Sequence, residues 1–260
     1  MKLRVWPAAL LLCLCLAAPA AAQDPDALYQ VSLLDALLAG DYQGSQEVDR
    51  LLRHGDLGLG TFDALDGEMV ISGGKCFRVD MQGVPHLAPP ETTTPFAQVT
   101  FFQADMSFPL PGGLDFAGLQ KWLAPKLPSK NLVYAVRITG TFDYIKARSV
   151  PRQKPPYPPL LAAVKHQAVF EWTNLPGELV GFISPGYMKG IGAPGWHLHF
   201  LGAAKKRAGH LLAMKIREAV VEVDPTPRFF LALPEKGPFL DLDLSRDREA
   251  ALKTVEQGKH

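Results

Sequence analysis

The sequence predicts an α+β fold, in which two sheet-based domains carry mostly antiparallel or mixed β-sheets with a few flanking helices. Three observations lead there. Short apolar runs rich in Val, Ile, Phe and Thr, punctuated by glycine, proline and Asp-Gly pairs, occupy much of the chain from Leu57 to Val223. Helical spacing of apolar residues appears only in brief stretches, so helices flank the strands and do not alternate with them. Apolar residues make up 47 % of the chain, enough to build large cores.

Residues 1–22 are expected to be a secretory signal peptide and stand outside the fold. Lys2 and Arg4 give a positive start, Ala8 to Leu16 form an apolar stretch too short to span a bilayer, and Ala20, Ala21 and Ala22 offer small residues for cleavage before Gln23. Export to a periplasm or the medium follows. Cys13 and Cys15 leave with the signal and Cys76 remains alone, so no internal disulfide is available. Loss of Lys2 and Arg4 takes the net charge from +1 to about −1. That balance gives no footprint for nucleic acid, and no later apolar run is long enough to cross a membrane.

The N-terminal domain is expected over residues 23–128. Ser32 to Gly40 reads as a helix with Ser32 as N-cap, Asp35 as its capping-box partner and Gly40 as the stop. Short strands follow from Leu57 to Val79, with the strongest turn at Asp66 and Gly67, and another strand runs from Phe96 to Phe102. A helix from Asp115 to about Leu127 presents Leu119, Trp122 and Leu123 on one face. Phe101, Phe102, Trp122 and Phe142 are read as core.

The C-terminal domain is expected over residues 129–260. It opens with a strand pair, Leu132 to Ile138 and Thr141 to Val150, hinged at Thr139 and Gly140. The proline-rich run from Pro151 to Pro159 cannot sit in a helix or central strand and forms a stiff surface loop. Strands resume at Ala168 to Thr173, Glu178 to Ile183, Trp196 to Leu201, His210 to Ile216 and Val220 to Val223, before a last helix capped by Ser245. Leu65 to Val70 echoes Leu175 to Val180, and Gly60 to Asp63 echoes Gly140 to Asp143. The two offsets disagree, so the echoes reflect similar turn chemistry and not duplication.

Chemistry concentrates at three histidines. On a strand, residues i and i+2 share a face, so His197 and His199 project together while Leu198 faces the other layer. Gly202 to Gly209 makes a hairpin tipped by Lys205, Lys206 and Arg207, and His210 opens the returning strand beside the first two imidazoles. Three neutral imidazoles suit Zn2+ and leave coordination positions open, while other divalent first-row metals share this donor set. His54, His86, His166 and His260 are isolated and read as surface or core residues. Cupins and carbonic anhydrases also use His-x-His on a strand, but where a cupin carries glutamate this chain has Ala203 and Ala204.

Several separated stretches carry a wider likeness. They are Ser32 to Gly40, Gly55 to Asp63 running on to Glu68, Lys146 to Gln153, and Gly195 to Phe200 ending at Gly209 and His210. In this order they resemble the α-acetolactate decarboxylase family over nearly the whole mature length. The resemblance implies that His197, His199 and His210 bind metal, that Glu68 and Glu256 are glutamates of the same site available for ligation and proton transfer, and that Arg148 is the active-site arginine. It implies that Thr61 lines the pocket beside the substrate, and that the protein is a homodimer.

The implied reaction converts 2-acetolactate to acetoin and CO2. These residue types suit it on chemical grounds as well. Losing CO2 from a 2-hydroxy-3-oxo acid leaves an enediolate, which needs an electrophile at the ketone oxygen, a cation for the carboxylate and an acid to deliver a proton. Two other readings share the histidine set: an exported zinc-dependent hydrolase or lyase using metal-bound hydroxide, and a metal-binding protein without turnover.

Overall fold

Fourteen strands and five helices organise residues 26–257, the part of the chain described by the computed structural model. The expected signal peptide and His260 lie outside those residues. In chain order the strands are β1 (Ala27–Val31), β2 (Gln46–Glu47), β3 (Leu57–Thr61), β4 (Glu68–Ser72), β5 (Lys75–Val79), β6 (Pro85–Leu87), β7 (Thr93–Thr94), β8 (Ala97–Thr100), β9 (Met106–Leu110), β10 (Tyr134–Ser149), β11 (Ala168–Ser184), β12 (Gly195–Gly202), β13 (Ala208–Pro225) and β14 (Arg228–Ala232). The helices are α1 (Leu34–Ala39), α2 (Val48–Leu51), α3 (Phe116–Leu123), α4 (Leu160–Ala163) and α5 (Glu249–Gln257).

Two large sheets carry the fold, as the α+β reading expects, and β2 and β7 form a separate two-stranded pair. The first has seven strands in the order β14-β1-β8-β3-β4-β5-β6 and is antiparallel except where β1 and β14 run parallel. In the second, β10 pairs with both β11 and β13, and β12 also pairs with both, so four strands close into a ring with β9 added outside β13. Strand β9 precedes Pro128 and joins the second sheet, whereas β14 follows it and joins the first. The chain thus exchanges one strand each way across the expected border.

The sheets meet through side chains such as Leu59, Val70, Val180 and Phe182. The Ser149 hydroxyl of β10 donates to the Val79 carbonyl of β5 at 2.9 Å, tying the ends of the two sheets together. Tertiary packing overrode several local signals. Helix α1 begins only at Leu34, with Leu33 in the capping position and no side-chain cap. Ser32 instead has φ 59° and spends its N–H on the Ala232 carbonyl of β14. Gly40 does end the helix, in the left-handed conformation. Asp115 caps α3 with a 2.7 Å bond from the Gly118 N–H.

No hinge exists at Thr139 and Gly140, because β10 runs unbroken for 16 residues and is paired on both sides there. A Cβ on Gly140 would overlap the Glu218 carbonyl oxygen, so this glycine permits close strand approach and does not make a turn. Likewise β11 continues through Leu175 and Pro176, whereas its echo at Leu65 is a genuine turn. Ser245 does not cap α5. Its N–H and hydroxyl bond Asp243, and the Asp247 carboxylate accepts the N–H of Glu249. Phe142 is buried as expected, but Phe101, Phe102 and Trp122 are only half-buried. His54, His86 and His166 are exposed.

Candidate active site and metal centre

Sheet register assembles the site from three strands of the second sheet. His199 of β12 pairs with His210 of β13, and His210 pairs in turn with Arg148 of β10. Directly paired residues lie side by side on one sheet face. His197, two residues before His199, shares that face. The first sheet supplies Glu68 at the start of β4, across from Thr61 at the end of β3. A cavity between these strands is lined by Thr61, Glu68, Arg148, the three histidines and, from α5, Val255 and Glu256.

The three imidazoles are buried, their ring centres lie 5.1–5.2 Å apart, and one ligand atom from each falls within 4.8 Å of the others. His199 Nδ1 donates to the Met69 carbonyl at 2.7 Å, since a carbonyl can only accept. That bond fixes the tautomer and leaves Nε2 as the ring's acceptor nitrogen. His199 Nε2 lies 3.2 Å from His210 Nδ1, and the His210 ring also bonds the Glu256 backbone. His197 Nδ1 is buried with no hydrogen-bond partner. An orphaned ring nitrogen beside two other clustered imidazoles fits a borderline divalent cation, which would use the lone pairs left unspent.

Electrostatics keep these rings neutral. Burial, reinforced by the Arg148 guanidinium, pushes His197 down to about 3, and His199 and His210 are held well below the ordinary histidine range by burial first and by Arg148 and the neighbouring imidazoles second. Burial pushes both glutamates the other way, Glu68 and Glu256 each rising to about 7 against the opposing pull of Arg148. Glu68 sits 3.7 Å from His199 Nε2 and 3.7 Å from Arg148 Nε, whereas Glu256 sits 3.9 Å from His197 Nε2 and 3.7 Å from His210 Nε2. The two carboxyls therefore approach the triad through different rings.

Arg148 is anchored by its Nη1, which donates to the Val255 carbonyl at 2.8 Å and to Gln167 Oε1 at 3.2 Å, leaving Nε buried and without a hydrogen-bond partner. The Thr61 hydroxyl donates to the Gly67 carbonyl at 2.7 Å, so its proton braces the turn that leads into Glu68.

A family model described as alpha-acetolactate decarboxylase matches residues 28–246. Alpha-acetolactate decarboxylase of Methanosarcina mazei is 44 % identical over 232 residues, covering 89 % of this chain and 81 % of that protein. That of Methylococcus capsulatus is 43 % identical over 229 residues, covering 88 % of each. The chain belongs to the alpha-acetolactate decarboxylase family. Its fold agrees with the crystal structure of the family's member from Bacillus subtilis strain 168, at a TM-score of 0.86, 33 % identity, and coverage of 89 % of this chain and 99 % of that one. As a decarboxylase of this family the protein is a carboxy-lyase.

All seven residues singled out in the sequence as site residues line the cavity: Thr61, Glu68, Arg148, His197, His199, His210 and Glu256. Glu256 lies beyond the residues that the family model matches. Sequence reasoning missed Gln167, the Val255 carbonyl and the apolar wall. Leu34 and Leu37 are buried along α1, and nothing in their spacing distinguishes a cavity wall from ordinary core. Gln167 follows a short turn at residues 164–166 and carries no motif, so only the fold reveals that it reaches Arg148.

Proposed function

We propose that the protein converts 2-acetolactate to acetoin and CO2 at a zinc ion held by His197, His199 and His210. The single observation that carries this reading is a cluster of three buried neutral imidazoles with one guanidinium and two carboxyls around the same cavity. When bound, the metal supplies a Lewis acid for the adjacent hydroxyl and ketone oxygens of the substrate. Arg148 receives the substrate carboxylate and steadies the charge that moves onto the ketone as the C–C bond breaks. Its planar fork remains anchored on the Val255 carbonyl while Nε stays available to the substrate. Thr61 closes the pocket next to Glu68.

The electron pair left on carbon must then take up a proton. Glu256 is assigned that delivery: raised to about 7, it is partly protonated near neutrality, and at 19 % side-chain exposure it can recover a proton from solvent. Glu68, at 8 % exposure and close to Arg148 and His199, is assigned to orienting the arginine and completing the metal's ligands. Purified protein given acetolactate should release acetoin, and a chelator should abolish the release. No acetoin from zinc-loaded protein sinks the proposal. Ester hydrolysis or CO2 hydration far exceeding acetoin formation would favour a hydroxide-based hydrolase or lyase. Zinc uptake with no turnover would favour a pure metal-binding protein.

Two further attributes belong to the proposal. Export rests on the pattern of residues 1–22 and predicts a mature N-terminus near Gln23, checked by N-terminal sequencing of the native protein. The homodimer is supported by β14, an edge strand whose Phe229, Phe230 and Leu231 are exposed beside Leu233. Unpaired, such an edge invites aggregation, and pairing with a second copy covers it. Phe230→Lys is therefore expected to shift the sedimenting species from dimer to monomer.

A further inference from the structure

Helix α5 stands apart from the rest of the site in how it is attached. Thr61, Glu68, Arg148 and the three histidines all come from paired strands, whereas Glu256 and the Val255 carbonyl arrive on a nine-residue helix. Leading to it, residues 233–248 pair with no strand, and none of them is buried. Leu252 and Val255 of α5 are buried against the apolar cluster that contains Leu34, Leu37 and Leu160. Two apolar side chains, the bond from Arg148 to the Val255 carbonyl and the bond from the His210 ring to the Glu256 backbone make a shallow attachment for a wall of a buried cavity.

The first turn of α5 carries a second attachment of a different kind. Lys189 Nζ lies 2.9 Å from Asp247 Oδ2 and 2.8 Å from Glu249 Oε2, at the point where the extended segment becomes helix. Its own backbone is rigidly mounted. Residues 186–188 form a 3-10 turn with Met188 buried, and the carbonyls of Gly190 and Ile191 accept the first N–H groups of α1. The ammonium thus projects from a fixed platform, next to the helix that supplies Leu34 and Leu37, onto the hinge end of the helix that supplies Glu256.

We propose that α5 is a movable wall of the active site and that Lys189 is the positioning residue that latches it: release of α5 opens the cavity and withdraws Glu256, and re-latching returns both. Access and assembly of the proton donor are then one event, so the acid is in position only when the cavity is closed over its contents. The proposal rests on the reading of the triad as a metal site. It assigns Lys189 no contact with substrate.

The test measures opening directly. In zinc-loaded full-length protein, Lys189→Glu removes both ion pairs and adds repulsion at the hinge. The rate at which a chelator extracts zinc is expected to rise about tenfold, with amide exchange in residues 251–257 accelerating similarly, since both scale with the open fraction. Exchange in β12 and β13 and zinc content at saturation should not change. Lys189→Arg keeps both pairs and should keep wild-type rates. Wild-type rates of zinc extraction and α5 exchange in Lys189→Glu overturn the proposal, as does equal acceleration in Lys189→Arg. If the protein takes up no zinc, the metal reading fails, and the exchange of α5 amides in the two variants still decides the latch.

Discussion

Arg148 ties together several parts of the site. It holds α5 through the Val255 carbonyl, bonds Gln167, faces Glu68, and lowers the proton affinity of all three histidines. Arg148→Ala should leave zinc content near normal while lowering turnover by about 100-fold or more, the scale of a lost charge-stabilising donor. Lysine at this position should not rescue, because a single ammonium cannot span the Val255 carbonyl and the cavity together. A turnover assay beside metal analysis separates these outcomes. Asp224 offers a second residue-scale prediction. Burial, with Asp105, Asp26 and Asp56 nearby, pushes it up to about 6 from 3.8, although one oxygen accepts the Gln103 N–H. A group with a raised folded-state value stabilises most below 3.8, and that contribution is lost as pH climbs through 6. Asp224→Asn keeps the acceptor and removes the titration, so the fall in stability from pH 5 to pH 8 should shrink by roughly 1 kcal/mol in denaturant melts.

At the level of elements, the second sheet works through long strands whose local sequence invites breaks. Gly140 shows the reason such strands were read as pairs of shorter ones. A glycine between apolar runs signals a turn when only neighbours in sequence are considered, but here it admits the backbone of β13. Gly140→Val should therefore lower stability by about 1–3 kcal/mol, or prevent folding, with the loss read as a fall in Tm. The hairpin that returns His210 beside His199 was legible because its glycines and charged tip lie within one short stretch. By contrast, the pairing of His210 with Arg148 joins residues 62 positions apart in sequence. No periodicity encodes such a register, and only the likeness of separated motifs brought Arg148 and Glu68 into the site. Ser32 failed as a cap for a related reason, since its N–H is claimed by β14, a strand 200 residues away.

For the molecule as a whole, the site lies between two sheets, and a bound metal would join them through His199, whose other ring nitrogen already bonds β4. Metal loading should stabilise the entire fold. At free zinc about 1,000-fold above its dissociation constant the gain is about 4 kcal/mol, so chelated protein should melt several degrees lower and recover when zinc is restored. Melting in the presence and absence of chelator checks this, and an unchanged Tm would argue against tight metal binding. The strand exchange between the sheets has one more consequence, which concerns the order of events during synthesis. Strand β1, near the start of the described chain, stays unpaired on one edge until β14 leaves the ribosome, and Glu256 follows later still. A chain translated only through β13 can bring the three histidines together, but it lacks β14 and Glu256. Under the proposed function, competence therefore waits for α5, and a chain translated only as far as β14 should not act on acetolactate.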